Sequence, residues 1–293
     1  MKANNNGYIS EYAEAINSGK EIVGRWIELW YQYIENGLYK GLFFYDDRKA
    51  KKAVKFIETF CHHSKGVSGT ITLELWQRAL VSVLFGIVDK DGYRQFREVI
   101  VIIGKKNGKS LLASAISTYM EFADGEQGPD CICIAPLLQQ SSYVFNDILA
   151  DIHMEPELDI LTKSTRDGWK IPSSLGSISQ IAFNEKSTDG MNPHIAVLDE
   201  MAAWEGDKGL KQYQVIKSSL GARHQAMMLS ITTAGYVDDG VYDDVMQRAT
   251  ALLTGSSTET RFAPFIYMVL DLMQICLVLN MAVTLLKKSR VDI

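Results

Sequence analysis

An apolar run at residues 99–103 leads through a short glycine-bounded loop into a helix-forming segment. The run is Val-Ile-Val-Ile-Ile, the loop is Gly-Lys-Lys-Asn-Gly at residues 104–108, and Lys109 and Ser110 open the helical part. A strand that turns into a helix through such a loop points backbone N–H groups and the positive helix end at an anion. In this pattern Lys109 would reach the β- and γ-phosphates of a nucleoside triphosphate, and the Ser110 hydroxyl would bind Mg²⁺.

The match to the usual phosphate loop is imperfect. The pattern G-x-x-x-x-G-K-[ST] requires glycine at the position of Ile103, and the nearest glycine, Gly104, comes one residue late. The alternative is an ordinary strand-to-helix turn. The order of strand, loop and helix favours nucleotide binding.

A second apolar run, at residues 195–198, ends in two acidic residues, Asp199 and Glu200. A buried parallel strand is nearly continuous in apolar residues, and ligands bind beyond its carboxyl end. Asp199 could hold Mg²⁺ through water, and Glu200 could polarise a water that attacks the γ-phosphate. The alternative is a strand that ends in surface acids, and the phosphate-loop pattern upstream favours the functional interpretation.

A third run, at residues 227–231, ends in Thr232 and Thr233. In phosphate-loop motors with a catalytic glutamate, the strand that follows the acidic one ends in a polar residue that senses the γ-phosphate. Taken alone, the pattern would indicate only a strand-to-turn junction. Both threonines are candidates for sensing the γ-phosphate, because the phosphate-loop pattern and the acid pair precede them in the chain.

Residues Trp76 and Gln77 form a candidate base-binding pair. A glutamine amide can pair with both the N6 donor and the N7 acceptor of adenine, and an indole could stack on the base. The alternative is an amphipathic helix with an exposed glutamine, which this segment by itself favours.

Several motifs in order make the chain resemble the large subunit of tailed-phage terminases, the ATPase that drives DNA into the procapsid. The resemblance covers roughly residues 8–267, and the shortened Lys-Asn-Gly-Lys-Ser loop is similar to the form in one branch of that family. The motifs are Leu-x-x-Trp-Gln, Leu-Phe-Gly, Arg97-Glu98, Lys-Asn-Gly-Lys-Ser, Cys133-Ile134-Ala135-Pro136, Asp189-Gly190-Met191-Asn192-Pro193-His194, Val-Leu-Asp-Glu and Thr-Thr-Ala-Gly.

The resemblance implies a role for each candidate. Glu200 would be the catalytic carboxylate and Asp199 would lie near Mg²⁺, while Gln77 would read adenine. Thr232 and Thr233 would couple hydrolysis to movement. The phosphates would be cradled by Gly104, Lys105, Lys106, Asn107, Gly108, Lys109 and Ser110.

The arginine that many family members carry early in the phosphate loop has no counterpart here. Lys105 and Lys106 stand in that region, and a lysine supplies charge without the bidentate fork of arginine. Arg166 and Arg223 are candidates for a finger donated by a neighbouring subunit. A surface ion pair is the alternative for each.

The resemblance also implies cofactors and partners. ATP and Mg²⁺ would be bound, and the chain would act on double-stranded DNA with a portal protein and a small terminase subunit, as a homo-oligomeric ring on the procapsid. Two other functions are open: another DNA-dependent ATPase such as a helicase, for which no second motor domain is evident, and a truncated chain that binds nucleotide without motor activity.

Alternating strands and helices predict an α/β fold of the P-loop NTPase class, with a mostly parallel sheet covered by helices on both faces. We expect an N-terminal helical segment at 1–65, with residues 8–38 as one helical stretch, and an ATPase domain at 66–267. Short strands and turns that form a hairpin are expected within 161–184.

Composition restricts the partners. The net charge is −5, so no overall basic surface for DNA exists, and a motor needs only a local basic patch. One basic run precedes the ATPase core, and on a helix such a run is usually a solvated face. It comprises Arg48, Lys49, Lys51, Lys52 and Lys55.

The four cysteines are few and scattered, which fits a reducing compartment. Cys131 and Cys133 are too close for the usual zinc pairing, and Cys61-His62-His63 lacks a partner pair, so we expect free thiols there and at Cys276. The polar N-terminus has no signal core. These features and the resemblance predict the cytoplasm of the bacterial host.

The segment 268–293 is an aberrant apolar tail. The family pattern stops at Tyr267, where a nuclease domain would normally follow, and we expect a frameshifted or truncated product. The alternative is a membrane helix, but Leu272–Leu286 is shorter than the roughly 20 residues of a span and contains Gln274 and Asn280. We therefore expect no stable membrane association.

Overall fold

The centre of the fold is an eight-stranded sheet with the order β10-β3-β9-β8-β4-β7-β6-β5. The computed structural model describes residues 6–135, 138–166, 168–182, 190–235 and 239–267. Within this part, the strands from β10 to β7 are parallel, and β6 and β5 continue the sheet as antiparallel strands. The strands are β3 (Glu98–Ile103), β4 (Asp130–Ala135), β5 (Lys163–Thr165), β6 (Gly168–Ile171), β7 (Gly176–Ala182), β8 (Ile195–Asp199), β9 (Met227–Thr232) and β10 (Phe262–Tyr267).

Helices precede the sheet and cross between its strands. A separate antiparallel pair, β1 (Phe44–Tyr45) with β2 (Ile87–Val88), joins the segments around α3 and α4. The helices are α1 (Tyr8–Asn17), α2 (Arg25–Tyr39), α3 (Asp47–Phe60), α4 (Leu75–Gly86), α5 (Lys109–Phe122), α6 (Leu138–Met154), α7 (Pro156–Asp159), α8 (Gly206–Ser219) and α9 (Val241–Leu253).

Both faces of the sheet are covered, because side chains of each strand alternate between two cores. On one face, Val99 and Val101 of β3 pack with α5, α6 and the N-terminal helices. On the other face, Ile100 and Ile102 pack with α8 and α9. The predicted α/β class with a mostly parallel, doubly covered sheet is confirmed.

The N-terminal helices share a core with the sheet. Trp30 of α2 contacts Phe96, just before β3, with ring centroids 5.2 Å apart. The prediction of one helical stretch over 8–38 is wrong between residues 18 and 24. The chain turns there between α1 and α2, and Gly19 adopts the left-handed φ of +74° that a continuing helix does not allow.

Other elements follow the sequence closely. The helix after the phosphate loop and the strands β8 and β9 lie at the expected residues, and the predicted hairpin in 161–184 is present as β5–β6–β7. Strand β10 and the pair β1–β2 were not predicted. β10 is buried and pairs with β3 along its whole length, so tertiary pairing stabilises a segment whose local pattern is weak.

The tail at 268–293 lies outside the described residues, as do Cys276, Pro136 and Asp189. The frameshift and membrane-helix hypotheses therefore stay predictions. In the part of the chain that the structure describes, each helix is too short or too polar to cross a bilayer.

Candidate active site

The loop at residues 104–108 connects β3 to α5 at the carboxyl edge of the sheet. Gly108 caps α5 with φ +72° and ψ 21°, a left-handed conformation in which a residue with a Cβ is strained. Asn107 Nδ2 donates a 3.2 Å hydrogen bond to the Gly104 carbonyl, which closes the loop on itself. All five loop residues are exposed, so the first N–H groups of α5 are open to an anion.

The two acids lie at the end of β8, at the same edge. The strand order places β9 between β3 and β8, so the acids are two strands away from the phosphate loop. Asp199 is buried, with 4% of its side chain exposed, whereas 36% of the Glu200 side chain is exposed. Glu200 has φ +50° and ψ 48°, an uncommon conformation for a residue with a side chain, and its N–H donates to Asp199 Oδ1 at 2.8 Å.

Lys109 joins the loop to both acids. Its ammonium lies 2.7 Å from Glu200 Oε1 and 3.2 Å from Asp199 Oδ1. Burial opposes the charge of Lys109, but the two carboxylates outweigh burial and raise the pKa of the ammonium. Burial raises the pKa of Asp199 against the attraction of Lys109. Lys109 therefore stays charged, and its ammonium lies between the phosphate loop and the two acids.

The donors near Lys109 fit magnesium. Ser110, in the first turn of α5, offers a hydroxyl, and Asp199 offers a carboxylate, both oxygen ligands of the kind Mg²⁺ prefers. Among the described residues, no group of three or more His, Cys, Asp or Glu side chains could enclose a metal. A Mg²⁺ ion here would take its remaining ligands from phosphates and water, as is usual for this ion.

Thr232 ends β9 beside the acids. Its hydroxyl accepts a 3.2 Å hydrogen bond from the N–H of Ala202, in the turn that follows Glu200. It also donates to the Thr233 carbonyl at 3.0 Å. Thr232 is fully buried, whereas Thr233 is partly exposed. The end of β9 is thus bonded to the segment that carries the glutamate.

Gln77 lies in the first turn of α4 and is tied to the helix N-terminus. Its Oε1 accepts a 2.9 Å hydrogen bond from the Glu74 N–H. Trp76 stacks on Phe265 and Tyr267 of β10, with the ring centroids of Trp76 and Tyr267 5.1 Å apart. The idea that Trp76 stacks on a base is wrong in this arrangement, since the indole is buried in the core. Tyr267, on which Trp76 stacks, pairs with Ile103, the residue that precedes the phosphate loop.

The finger candidates lie elsewhere. Arg223 donates hydrogen bonds to the carbonyls of Asn192 and Gly128 and forms an ion pair with Glu126, as the ion-pair alternative predicts. It precedes β9, so it lies at the amino-terminal ends of the strands, opposite the phosphate loop. Arg166 lies in the exposed β5–β6 turn, several strands from the phosphate loop. Lys105 and Lys106 are exposed on the loop, and Lys106 has φ +68°.

The prediction of free thiols is confirmed for the three cysteines in the described part of the chain. Cys61, Cys131 and Cys133 are buried and unpaired. His62 Nε2 lies 3.3 Å from Glu155 Oε2.

Two features of the site were not expected from the sequence. These are the left-handed backbone at Glu200 and the bond from Ala202 to Thr232. Neither has a local signal, because glutamate rarely adopts positive φ and Ala202 acts only through its backbone. The pairing of β10 with β3 has only a weak local signal, a short apolar run at 262–267 that Pro264 interrupts.

A mostly parallel sheet with a glycine-bounded loop after one strand and an acid pair two strands away defines a P-loop nucleotide-binding fold. The chain also matches the terminase large subunit ATPase domain family over residues 75–250. Because this match covers more than half of the chain, the protein belongs to the ATPase domain family of terminase large subunits.

Comparisons with individual proteins also find terminase large subunits. The chain is 23% identical over 190 residues to the terminase large subunit of Enterobacteria phage HK97, covering 63% of this chain and 36% of the relative. It is 36% identical over 81 residues to protein YmfN of Escherichia coli K12, covering 28% of this chain and 17% of that protein. The crystal structure of the HK97 large terminase superposes with a TM-score of 0.60 at 20% identity, covering 75% of this chain and 44% of that one. The chain thus spans less than half the length of these relatives.

Proposed function

We propose that this protein is the ATPase part of a terminase motor, which hydrolyses ATP with Mg²⁺ and uses the energy to move double-stranded DNA into a procapsid. The observation that carries the proposal is the position of Lys109, 2.7 Å from Glu200 and 3.2 Å from Asp199. One side chain next to the phosphate loop thereby lies beside both acids, so the groups that would bind phosphate, hold Mg²⁺ and orient water for phosphoryl transfer are close together.

Each residue has a role in this reaction. The loop N–H groups and Lys109 hold the phosphates, and Ser110 and Asp199 would hold Mg²⁺. When bound, the ion neutralises charge on the β- and γ-phosphate oxygens. Glu200 orients the attacking water and accepts its proton. Because Lys109 contacts Glu200 in this structure, bound phosphate competes with Glu200 for the ammonium, and its arrival frees the glutamate for water.

The remaining assignments rest on family membership. Gln77 reads adenine, and Thr232 and Thr233 couple hydrolysis to movement. The partners are a portal protein and a small terminase subunit, and the motor acts as a homo-oligomeric ring on the procapsid in the cytoplasm of the bacterial host.

The test is steady-state ATP hydrolysis by the chain and its Glu200→Gln variant, with nucleotide binding followed separately. We expect Glu200→Gln to lose turnover by about 10²–10⁴-fold and to keep ATP binding, because the loop and Lys109 are unchanged. Glu205→Gln is the matched control, since Glu205 is exposed five residues further on and its change removes the same charge. Lys109→Ala should lose both binding and turnover.

The outcome that contradicts the proposal is wild-type turnover in Glu200→Gln, or tight ATP binding by Lys109→Ala. Stimulation of hydrolysis by DNA, and further stimulation by proheads or portal, distinguishes a packaging motor from another DNA-dependent ATPase. If DNA stimulates and proheads do not, the packaging role is wrong and the ATPase role stands.

A further inference from the structure

A cavity lies between α3 and the amino-terminal ends of the parallel strands. Its volume is about 250 Å³, several times the volume that one water molecule occupies. It is lined by Arg48, Lys49, Lys52, Phe85, Val88, Arg94, Tyr119, Asp124 and Gln225. The basic run of α3 therefore forms one wall of a cavity.

This cavity is separate from the nucleotide site. Lys109 begins α5, whereas Asp124 follows the end of that helix. A helix of this length places the two ends about 20 Å apart. Arg94 and Gln225 precede β3 and β9, which confirms that the cavity lies at the sheet edge opposite the phosphate loop.

The cations of α3 that line the cavity have no carboxylate partner in the described part of the chain. Lys49 Nζ donates to the Gly92 carbonyl at 2.6 Å, and Lys52 Nζ donates to the Ala123 carbonyl at 2.5 Å. Arg48 is exposed and has neither an ion pair nor a hydrogen bond among these residues. Each lysine ammonium has three donors, so donors remain for a ligand.

The one carboxylate in the cavity wall is already neutralised. Both oxygens of Asp124 lie 2.9 Å from Arg94 Nη2, and Oδ2 lies 2.8 Å from His194 Nε2. The remaining charge of the lining is that of Arg48, Lys49 and Lys52, which makes the cavity strongly positive.

Arg94, which also lines the cavity, carries one more hydrogen-bond donor. Arg94 is only 3% exposed, its guanidinium lies over the Phe85 ring at 4.8 Å, and its Nε has no hydrogen-bond partner among the described residues. A buried N–H without a partner is costly unless a ligand or water meets it. Arg94, which carries this unpartnered donor, therefore lines the same cavity as the three cations that have no carboxylate partner.

We propose that this cavity binds a phosphate group. Donors on several walls suit an anion with more than two oxygens, and lysine binds phosphate as a point charge. The phosphate has two possible sources, the backbone of DNA and free phosphate. The proposal does not depend on the function of the nucleotide site.

The test compares cavity variants with a matched variant on the same helix. Arg48→Gln and Lys52→Gln each remove a charge that faces the cavity. Lys51→Gln removes the same charge from α3, but Lys51 is ion-paired with Asp47 at 2.7 Å and does not line the cavity. All three variants keep the phosphate loop, so binding there cancels in the comparison.

Two probes are titrated into each variant: inorganic phosphate by calorimetry, and a short DNA duplex by fluorescence anisotropy at several salt concentrations. We expect Arg48→Gln and Lys52→Gln to weaken the affinity for the occupant about tenfold, as removal of a charge-assisted hydrogen bond does. If DNA is the occupant, the slope of log affinity against log salt falls by about 0.9 for each DNA phosphate that a variant no longer neutralises. Lys51→Gln should change neither quantity.

Weaker binding in the DNA titration identifies the backbone as a source, and weaker binding of inorganic phosphate alone identifies a free phosphate ligand. The proposal is overturned if both cavity variants match Lys51→Gln with both probes. Thermal unfolding of each variant checks the fold. Arg48→Gln decides the matter if Lys52→Gln is unstable, because Arg48 makes no hydrogen bond or ion pair with another described residue.

Discussion

The hydroxyl of Thr232 accepts a 3.2 Å hydrogen bond from the N–H of Ala202. This bond joins the end of β9 to the turn that begins directly after Glu200. Thr232 also pairs in register with Ile102, which precedes the phosphate loop by two residues. Thr232 therefore lies between the phosphate loop and Glu200. A displacement of the loop or of the glutamate can be transmitted to the other through this threonine.

The first prediction concerns this bond. Thr232→Val keeps the shape of the side chain and removes the hydroxyl, so the Ala202 N–H loses its partner and the turn at Glu200 loosens. We expect ATP affinity to stay near wild type while kcat falls, with a stability loss of about 1–3 kcal/mol. Steady-state kinetics and urea unfolding measure these effects.

The matched control is Ser230→Ala in the same strand. Ser230 is fully buried, and its hydroxyl has no hydrogen-bond partner among the described residues. Its removal should leave kcat unchanged and stability equal or higher. Equal decreases of kcat in both variants would mean that β9 responds to any change and that the Thr232 bond has no special role.

A second prediction separates base recognition from helix capping at Gln77. Gln77→Glu keeps an oxygen to accept from the Glu74 N–H but cannot donate to N7 of adenine. We expect α4 to stay stable while the preference for ATP over GTP in kcat/KM declines. Gln77→Ala should lose that preference and also about 1 kcal/mol of stability with the cap. Unchanged selectivity in both variants would assign Gln77 to capping alone.

Comparison of the sequence with the structure shows which parts of the site carry a local signal. The common location of the loop, Lys109, Asp199 and Glu200 could be predicted, because their strands are apolar runs that end in polar residues at the same ends of the sheet. Trp76 could not be assigned, because an aromatic residue on a helix packs equally well on a base or on a core, and the choice depended on β10. The break at residues 18–24 was missed because apolar residues recur at helical spacing on both sides of it.

The basic run of α3 shows the same limit. Its sequence fits a solvated face, and Lys51 indeed pairs with Asp47 on the surface. Only the fold places Lys49 and Lys52 around the same cavity as Arg94, which lies more than 40 residues further along the chain. Charge pattern alone does not reveal which cations share a cavity.

A third prediction concerns the buried carboxyl of Asp151, which accepts hydrogen bonds from the His62 N–H at 2.8 Å and the Thr118 hydroxyl at 3.3 Å. Burial raises its pKa to about 7. The folded state therefore binds this proton more tightly than the unfolded chain, whose aspartates titrate near pH 4. The stabilisation is complete below about pH 4 and is lost as the pH rises through 7.

We expect the free energy of unfolding to fall between about pH 4 and 7, by at most about 4 kcal/mol from this group, and to depend little on it at higher pH. Asp151→Asn imitates the protonated acid and should remove the decline, which makes the variant more stable than wild type at pH 8. Urea unfolding across this range measures it. Glu157→Gln, an exposed change on α7, should keep the wild-type decline. The same decline in Asp151→Asn would show that another group causes it.

The fourth prediction concerns Asp124, whose carboxylate faces Arg94 and His194 in the wall of the proposed phosphate-binding cavity. Burial alone would raise its pKa, but Arg94 and His194 outweigh burial and lower the pKa to about 2. The stability from this group is therefore complete above about pH 4 and is lost as the pH falls through 2.

Asp124→Asn leaves the buried Arg94 guanidinium without a counter-charge, and we expect a loss of about 3–5 kcal/mol at pH 7. Urea unfolding between pH 2 and 7 should show less acid dependence in this variant than in Asp91→Asn, which changes an exposed loop carboxylate. Equal stability of the two variants at pH 7 would show that the Arg94 charge is compensated elsewhere.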